Sequence, residues 1–494
     1  MHASCRIRGV GGCLFGLCAA LARIVLVILG ALTVQTAWAT SKTPGTPRRE
    51  KSPGSQPGTS PALLWREVQV PETFLATARV KGQRLRYGGD IRLGDLTGNG
   101  QADLLVFRCD KASALKPCFL GAFDLSGRAL WQVGSGGTQP LRPGPVAVHD
   151  IDGDGHSQVI CFFQDPSIRA GKKSMADVVV QIRDGRTGKV KRQTAPPEIR
   201  QRAGWGPNWC HHRIFVCNLR GRPTPQDFII KLGDTIVALD DALSVLWTYT
   251  IRWNDYGKCS AYIPSVGDID GDGRDEVNGG YFLLDSDGRP IWEKRWGPHM
   301  DSVAITAWDD GRMRAICSGG GHVIDADGKA VLALGAKIVP HGQEVRVADF
   351  LPDLPGPEMI VRYNGHTPNV MVVSNAGEIL RRFELNASPN ETGMEVVYWN
   401  GPKAPALLHN GGLLFDGAGR QVVTPPGLHK PVGPAKMGWY HCIPADVCGD
   451  AREEMILYNP WAASVFIYTP APLRQDAYAG YHPGPRQYNA RLMD

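Results

Sequence analysis

The stretch GDIDGDGRDEV, Gly267 to Val277, sets Asp268, Asp270, Asp272 and Glu276 at alternating places in a short glycine-rich loop. Two carboxylates about 4 Å apart repel by roughly 1 kcal/mol in water and about 4 kcal/mol at the effective dielectric of a protein surface, so a converging set asks for a cation. Oxygen donors at alternate places, a backbone carbonyl and a later carboxylate, with glycine for the tight turn, suit calcium better than zinc. A plain acidic hairpin turn is the alternative, and recurrence of the pattern argues against it. Related loops are GDLTGNGQADLLVF (Asp95, Thr97, Asn99, Asp103), HDIDGDGHSQVICFF (Asp150, Asp152, Asp154, Gln158) and ADVCGDAREEMILY (Asp446, Asp450, Glu454).

Weaker copies keep the same order of β-rich run, polar turn and β-rich run, and the first strands begin near residues 91, 145, 214, 262, 302, 344, 395 and 441. A second element recurs downstream: FDLSGRALW, LDDALSVLW and LDSDGRPIW hold Asp124, Asp240 and Asp285 ahead of Trp131, Trp247 and Trp292, each reading as a hairpin. Two hairpins per repeat make a four-stranded antiparallel sheet, and sheets at this period stack radially. The expected fold is therefore all-β, an eight-bladed propeller. LLWREVQV, residues 63–70, is expected to add the outer strand of the last blade and remove the open edge.

Ahead of the repeats, Arg6 and Arg8, an apolar run from Ile24 to Val34 and Ala37-Trp38-Ala39 read as a signal peptide over 1–39. A Pro/Ser/Thr-rich tract over 40–62 reads as a linker, followed by the propeller over 63–494. The product is expected to be secreted or periplasmic, free of the membrane once cleaved, and a monomer. The net charge of +6 falls to about zero once the leader's three arginines and the linker's basic excess are set aside, which argues against nucleic acid as a partner. Twelve cysteines, less Cys5, Cys13 and Cys18 of the leader, are too sparse for a disulfide scaffold. Cys109 with Cys118 and Cys442 with Cys448 are the pairs spacing offers.

The DxDxDG loops followed by a strand resemble FG-GAP-type propeller repeats, and ADVCGDAREEMILY is similar to the closing blade of the family 11 rhamnogalacturonan lyases. The repeat resemblance covers nearly everything from residue 63 onward; the lyase resemblance rests on the last blade. It implies a secreted eight-bladed enzyme with bound Ca2+ and an acidic polysaccharide, rhamnogalacturonan, as substrate.

In an antiparallel blade the acidic loops lie at one end and the segments leading into each first strand at the other. Those lead-in segments crowd around the channel mouth and are rich in reactive groups: NWCHHR, RWNDYGKCSAY, GPHMDS, VPHGQEVR, NETGME and GWYHC. Rigid scaffolds present function on such loops. A lyase must neutralise a uronate carboxylate, remove the adjacent carbon-bound proton and protonate the leaving oxygen. His211, His212, Tyr256, Lys258, His341 and His441 form the acid/base pool. Arg213 and Arg346 are the carboxylate binders, with Asn254, His299, Asp301, Glu344, Glu395 and Tyr440 as further substrate contacts. Taken singly, each histidine is as well explained by hydrogen bonding between loops, and Arg346 and Glu395 by lining the channel. A glycoside hydrolase using two of Asp301, Glu344, Glu391 and Glu395 is the alternative enzyme. Quinone-dependent dehydrogenases share the Trp-bearing blades, but the chain lacks their adjacent Cys-Cys pair. A non-catalytic glycan- or protein-binding module is the remaining reading.

Overall fold

The middle strands of the sheets are mostly apolar and mostly buried because both of their faces are covered. Asp103–Cys109 and Asp227–Leu232 are buried at every position, whereas the outer strands Val190–Thr194 and Pro290–Glu293 are largely exposed. The computed structural model describes residues 58–492 apart from 114, 172–173, 202–211, 254–259, 298, 435–436 and 474–479. The expected signal peptide, and the linker up to residue 57, lie outside the described residues. No described helix is long and apolar enough to cross a membrane.

Eight sheets have four antiparallel strands each, and a ninth is a two-stranded hairpin, Ala76–Val80 with Gln83–Tyr87. First strands begin at Asp90, Val146, Ile214, Ser265, Val303, Glu344, Glu395 and His441, within three residues of the expected positions. Successive first strands touch from blade to blade, which gives the ring of a β-propeller. Ala62–Gln69 pairs antiparallel with Ser464–Pro470 as the outer strand of the eighth blade, Ala62 opposite Pro470 and Gln69 opposite Ser464. One apolar cluster joins Ile443, Ile456 and Val465 of that blade to Leu104, Val106 and Phe123 of the first.

Two repeated devices explain the sequence periodicity. The side chain that opens the second strand reaches back to cap its own turn: Asp103 accepts from Leu96 N–H, Gln158 from Ile151, Asp227 from Arg220, Glu276 from Ile269, Glu358 from Phe350 and Glu454 from Val447, all at 2.8–3.1 Å. The fourth-strand aromatic of one blade packs on the turn glycine of the next. A Cβ on Gly188 would lie 2.5 Å from Trp131, on Gly288 2.5 Å from Trp247, and on Gly419 2.5 Å from Phe383.

The C-terminal stretch Gly480–Leu492 runs through the central channel. Tyr481 N–H donates to Gly100 O at the acidic-loop end, Tyr488 packs 4.4 Å from the His149 ring, and Asn489 exchanges two 2.8 Å hydrogen bonds with Val216. At the lead-in end Leu492 N–H donates to Glu395 Oε1 at 2.7 Å. Neither cysteine pair suggested by spacing is bridged: Cys109, Cys118, Cys442 and Cys448 are free thiols.

Candidate functional site

Strand alternation puts the lead-in segments and the connections between second and third strands on one face. Several of them converge on Asp301, two residues before the fifth blade. Its carboxylate is fully buried, with Oδ1 2.8 Å from His299 Nε2 and Oδ2 3.0 Å from His341 Nε2. The Tyr262 hydroxyl, from the lead-in of blade 4, lies 3.0 Å from His299 Nε2. His366, from the connection between the second and third strands of blade 6, is exposed and sets its ring 5.7 Å from that of His341. Arg142, from the lead-in of blade 2, is buried nearby; burial pushes its guanidinium down to about 10 against the attraction of Tyr262 and Asp301.

Burial alone would raise the Asp301 carboxyl, but hydrogen bonds from His299 and His341 outweigh it and hold the group below its ordinary value. An ionised carboxylate only accepts, so His341 turns its Nε2–H toward Asp301 and keeps Nδ1 as the basic nitrogen. Gly365, at φ +57°, leaves that nitrogen open, since a Cβ there would lie 3.0 Å from Nδ1. The side chain of His341 is one-third exposed, at 33%. Donor atoms of His299, Asp301 and His341 lie within 4.8 Å of one another, a mixed nitrogen and oxygen set able to hold a divalent cation.

The other residues singled out from the sequence are placed differently. His211, Asn254, Tyr256 and Lys258 lie outside the described residues. His212 is fully buried, neither ring nitrogen has a partner among the described residues, and burial together with the Lys116 charge pushes it down to about 4. His441 is also fully buried, its Nδ1 3.2 Å from Leu492 O, and burial takes it to about 4. Arg213 donates to Arg491 O. Glu344 is paired with Arg362 at 2.5 Å where both are fully buried. Tyr440 packs in the core between blades 7 and 8 against Phe466. Arg346 and Glu395 line the channel 3.7 Å apart. Arg142, Tyr262 and His366 were not singled out. The signal for His366 was strand alternation itself, which returns every second connection to this face.

The acidic loops differ among themselves as cation sites. Donor atoms of Asp268, Asp270 and Glu276 lie within 4.8 Å of one another, and burial with those like charges pushes Glu276 up to about 8. That uncompensated oxygen set fits calcium. Asp150, Asp152 and Asp154 also converge, but the Lys191 ammonium sits 2.5 Å from Asp152 and 3.2 Å from Asp154, and Gln158 Nε2 donates to both. In the first blade Asp95 accepts from Gly98, Asn99 and Gly100, while Thr97 donates to Asp103, whose carboxyl burial raises to about 6. In the eighth, Arg452 pairs with Asp450 while Asp446 accepts from Gly449, Asp450 and Ala451. A built-in cation thus meets part of the charge in the second and eighth blades, and the fourth blade's loop fits a bound ion best.

No protein-family model matches the chain. Rhamnogalacturonan endolyase YesW of Bacillus subtilis (strain 168) is 24% identical over 475 residues, covering 84% of this chain and 73% of that protein. Among solved structures, the Bacillus licheniformis rhamnogalacturonan lyase PL11 superposes with a TM-score of 0.61 at 21% identity, over 82% of this chain and 75% of that one. The exotype rhamnogalacturonan lyase YesX does so at 0.61 and 18%, over 82% and 76%. The structural likeness is one of fold.

Proposed function

We propose that this chain is an exported polysaccharide lyase, which cleaves a uronate-containing, rhamnogalacturonan-like polymer by β-elimination at the lead-in face. In this reading residues 1–39 are a signal peptide, 40–62 a linker and 63–494 a monomeric propeller domain acting outside the cytoplasm. The observation that carries it is the joined set Tyr262, His299, Asp301 and His341 with Arg142 behind it. The similarity to YesW supports the substrate class.

His341 Nδ1 removes the carbon-bound proton beside the uronate carboxylate, while Asp301 holds the ring and stabilises the imidazolium that forms. His366 is the nearest exposed imidazole able to return a proton to the departing glycosidic oxygen. Tyr262 and His299 fix the geometry of the far side, and Arg142 adds positive charge where carbanion character develops. Calcium at Asp268, Asp270 and Glu276 would brace the opposite rim. Hydrolysis is less well served, because Asp301, Glu344 and Glu395 are each engaged by neighbours within the fold.

The test follows ultraviolet absorbance of the unsaturated product and new reducing ends in parallel, on rhamnogalacturonan, other uronate polymers and neutral glycans. Absorbance with uronate polymers only, lost by about 10² or more in His341→Ala, is the expected result. Reducing ends without absorbance would mean hydrolysis, and binding without either would mean a non-catalytic module.

A further inference from the structure

Between the outer strand of blade 8 and the first strand of blade 1 the chain makes a detour. The hairpin Ala76–Val80 with Gln83–Tyr87 is inserted there, the one two-stranded sheet among the described residues. Val70 N–H donates to Ala463 O on the way in and Gly88 N–H to Ala462 O on the way out, so both stems leave from the lead-in rim. Arg108 ties the stems together, its Nη1 donating to Phe74 O at 2.6 Å and to Gly88 O at 2.7 Å. Buried Tyr87 sets its ring 5.0 Å from Trp461 and its hydroxyl 3.4 Å from Thr138 Oγ1 in the lead-in of blade 2. Thr138 stands four residues before Arg142, a stretch of chain that spans at most about 14 Å. The hairpin's base is therefore on the same face as the Asp301 cluster, one short segment away.

Register sorts its side chains onto two faces. Ala76, Ala78, Val80, Leu85 and Tyr87 share one and are buried or half-buried, whereas Thr77, Arg79, Arg84 and Arg86 share the other and are exposed. Lys81 is exposed at the turn. Residues 76–87 thus hold four cations and no carboxylate, on a propeller whose charge otherwise balances. Arg79 lies directly opposite Arg84. Like charges so placed weaken a hairpin, and an isolated two-stranded one has little stability to spare. Glu72 pairs with Arg86, but Arg79, Lys81 and Arg84 have no ion pair among the described residues. A row of accessible, uncompensated cations is what a polyanion would neutralise.

We propose that this hairpin is a binding arm for an acidic polysaccharide: Arg79 and Arg84 hold uronate carboxylates some sugar units away from the bond that is cleaved at the Asp301 cluster. The proposal deepens the lyase reading and rests on it for the class of polymer. A guanidinium fork matches the two oxygens of a carboxylate, which a neutral glycan does not offer. Exposed pairs of this kind are individually weak and screened by salt, so the arm acts through several contacts with one long chain. It serves to lower KM for the polymer and takes no part in the chemical step.

Isothermal titration with rhamnogalacturonan backbone, neutral galactan and phosphatidylglycerol vesicles tests the assignment, in the full chain carrying His341→Ala so that the polymer stays intact. Rhamnogalacturonan should bind, and the paired change Arg79→Gln with Arg84→Gln should weaken it about fivefold at low salt. The gap should close near 1 M salt, where charges are screened within about 3 Å. Arg79→Glu puts opposite charges across the strands, so it should raise the melting temperature while weakening binding, and it carries the test should the paired change fail to fold. Equal affinity in all three proteins would overturn the proposal, as would equal binding of galactan. Vesicle binding that depends on the arginines, without polymer binding, would make the arm a membrane contact instead. In the active chain, unsaturated product formed with the same KM in the paired variant would sink the arm alone. Arginine-dependent polymer binding with no unsaturated product would sink the lyase reading and keep the arm.

Discussion

Asp301 is one acceptor group with an imidazole on each oxygen, and that determines what its replacement does. In Asp301→Asn one oxygen becomes an N–H donor, so one imidazole must present a lone pair instead and carry its proton on Nδ1. If that ring is His341, the basic nitrogen is gone. The expected result is a fall in kcat of about 10², with KM changed far less and the melting temperature nearly kept, because shape and burial are conserved. An unchanged kcat would remove Asp301 from the proposed reaction. The buried imidazoles carry a different prediction. Burial holds His212, His409 and His441 at about 4, 3 and 4, below their ordinary 6.5. The unfolded chain therefore takes up more protons as pH drops below 6.5, and stability is lost from there down toward 4. Each group contributes at most about 1.4 kcal/mol per pH unit inside its window. Urea unfolding at pH 7, 6 and 5, with calcium saturating so that the acidic loops stay ionised, should show midpoints falling steadily. A midpoint unchanged down to pH 5 would mean these rings are not buried as described.

Blades are held to one another by aromatic rings on glycine turns, and two substitutions separate that contact from backbone strain. Gly288 has φ +78° and its Cβ would meet Trp247 at 2.5 Å, whereas Gly427 has φ +71° with nothing within 4 Å. Alanine at either site costs the left-handed backbone about 1 kcal/mol, and at Gly288 the overpacked ring adds about 1–3 kcal/mol more. Equal losses in chemical denaturation would mean the ring contact contributes nothing. The fourth blade's acidic loop carries a prediction about calcium. Glu276 sits at about 8 in the folded chain against 4.5 for the free group, so without calcium its contribution to stability fades as pH rises from 4.5 to 8. Calcium should reverse this by raising the melting temperature at pH 7 and releasing protons on binding, which titration in buffers of different ionisation heat detects. In Glu276→Gln the calcium-free chain should melt higher and the calcium gain should shrink. These elements were legible in the sequence because most blades repeat one or both of the same physical solutions: a turn-capping side chain at the second strand, and an aromatic that needs a glycine in the next blade. Histidines at the lead-ins were legible as a group, but their fates were not. His441 and His299 look alike in sequence, and what separates them is whether the C-terminal stretch covers them, a contact between distant parts of the chain that no local pattern encodes.

At the scale of the whole molecule, a ring of eight sheets leaves a channel whose inner strands expose β-branched side chains, and the chain's own end fills half of it. Tyr481, Tyr488 and Leu492 are 3%, 8% and 1% exposed there. Burying such side chains is worth about 1.5–3 kcal/mol each, and the ordering entropy of some dozen residues offsets part of it. Polar contacts tie both rims: Arg486 to Glu453 at 2.7 Å toward the acidic loops, and Leu492 to Glu395 and His441 at the lead-in face. A chain ending before Gly480 should therefore lose about 2–5 kcal/mol in urea unfolding. The loss should be accompanied by a weaker dependence of stability on acid, because His441 would then face water and regain a pKa nearer 6.5. The two readings discriminate between outcomes. A lower midpoint with an unchanged pH slope would mean the C-terminal stretch merely packs, and an unchanged midpoint would mean it lies outside the channel in solution. A lower midpoint with a shallower acid slope is the result expected if this stretch is the axle on which the lead-in face is assembled.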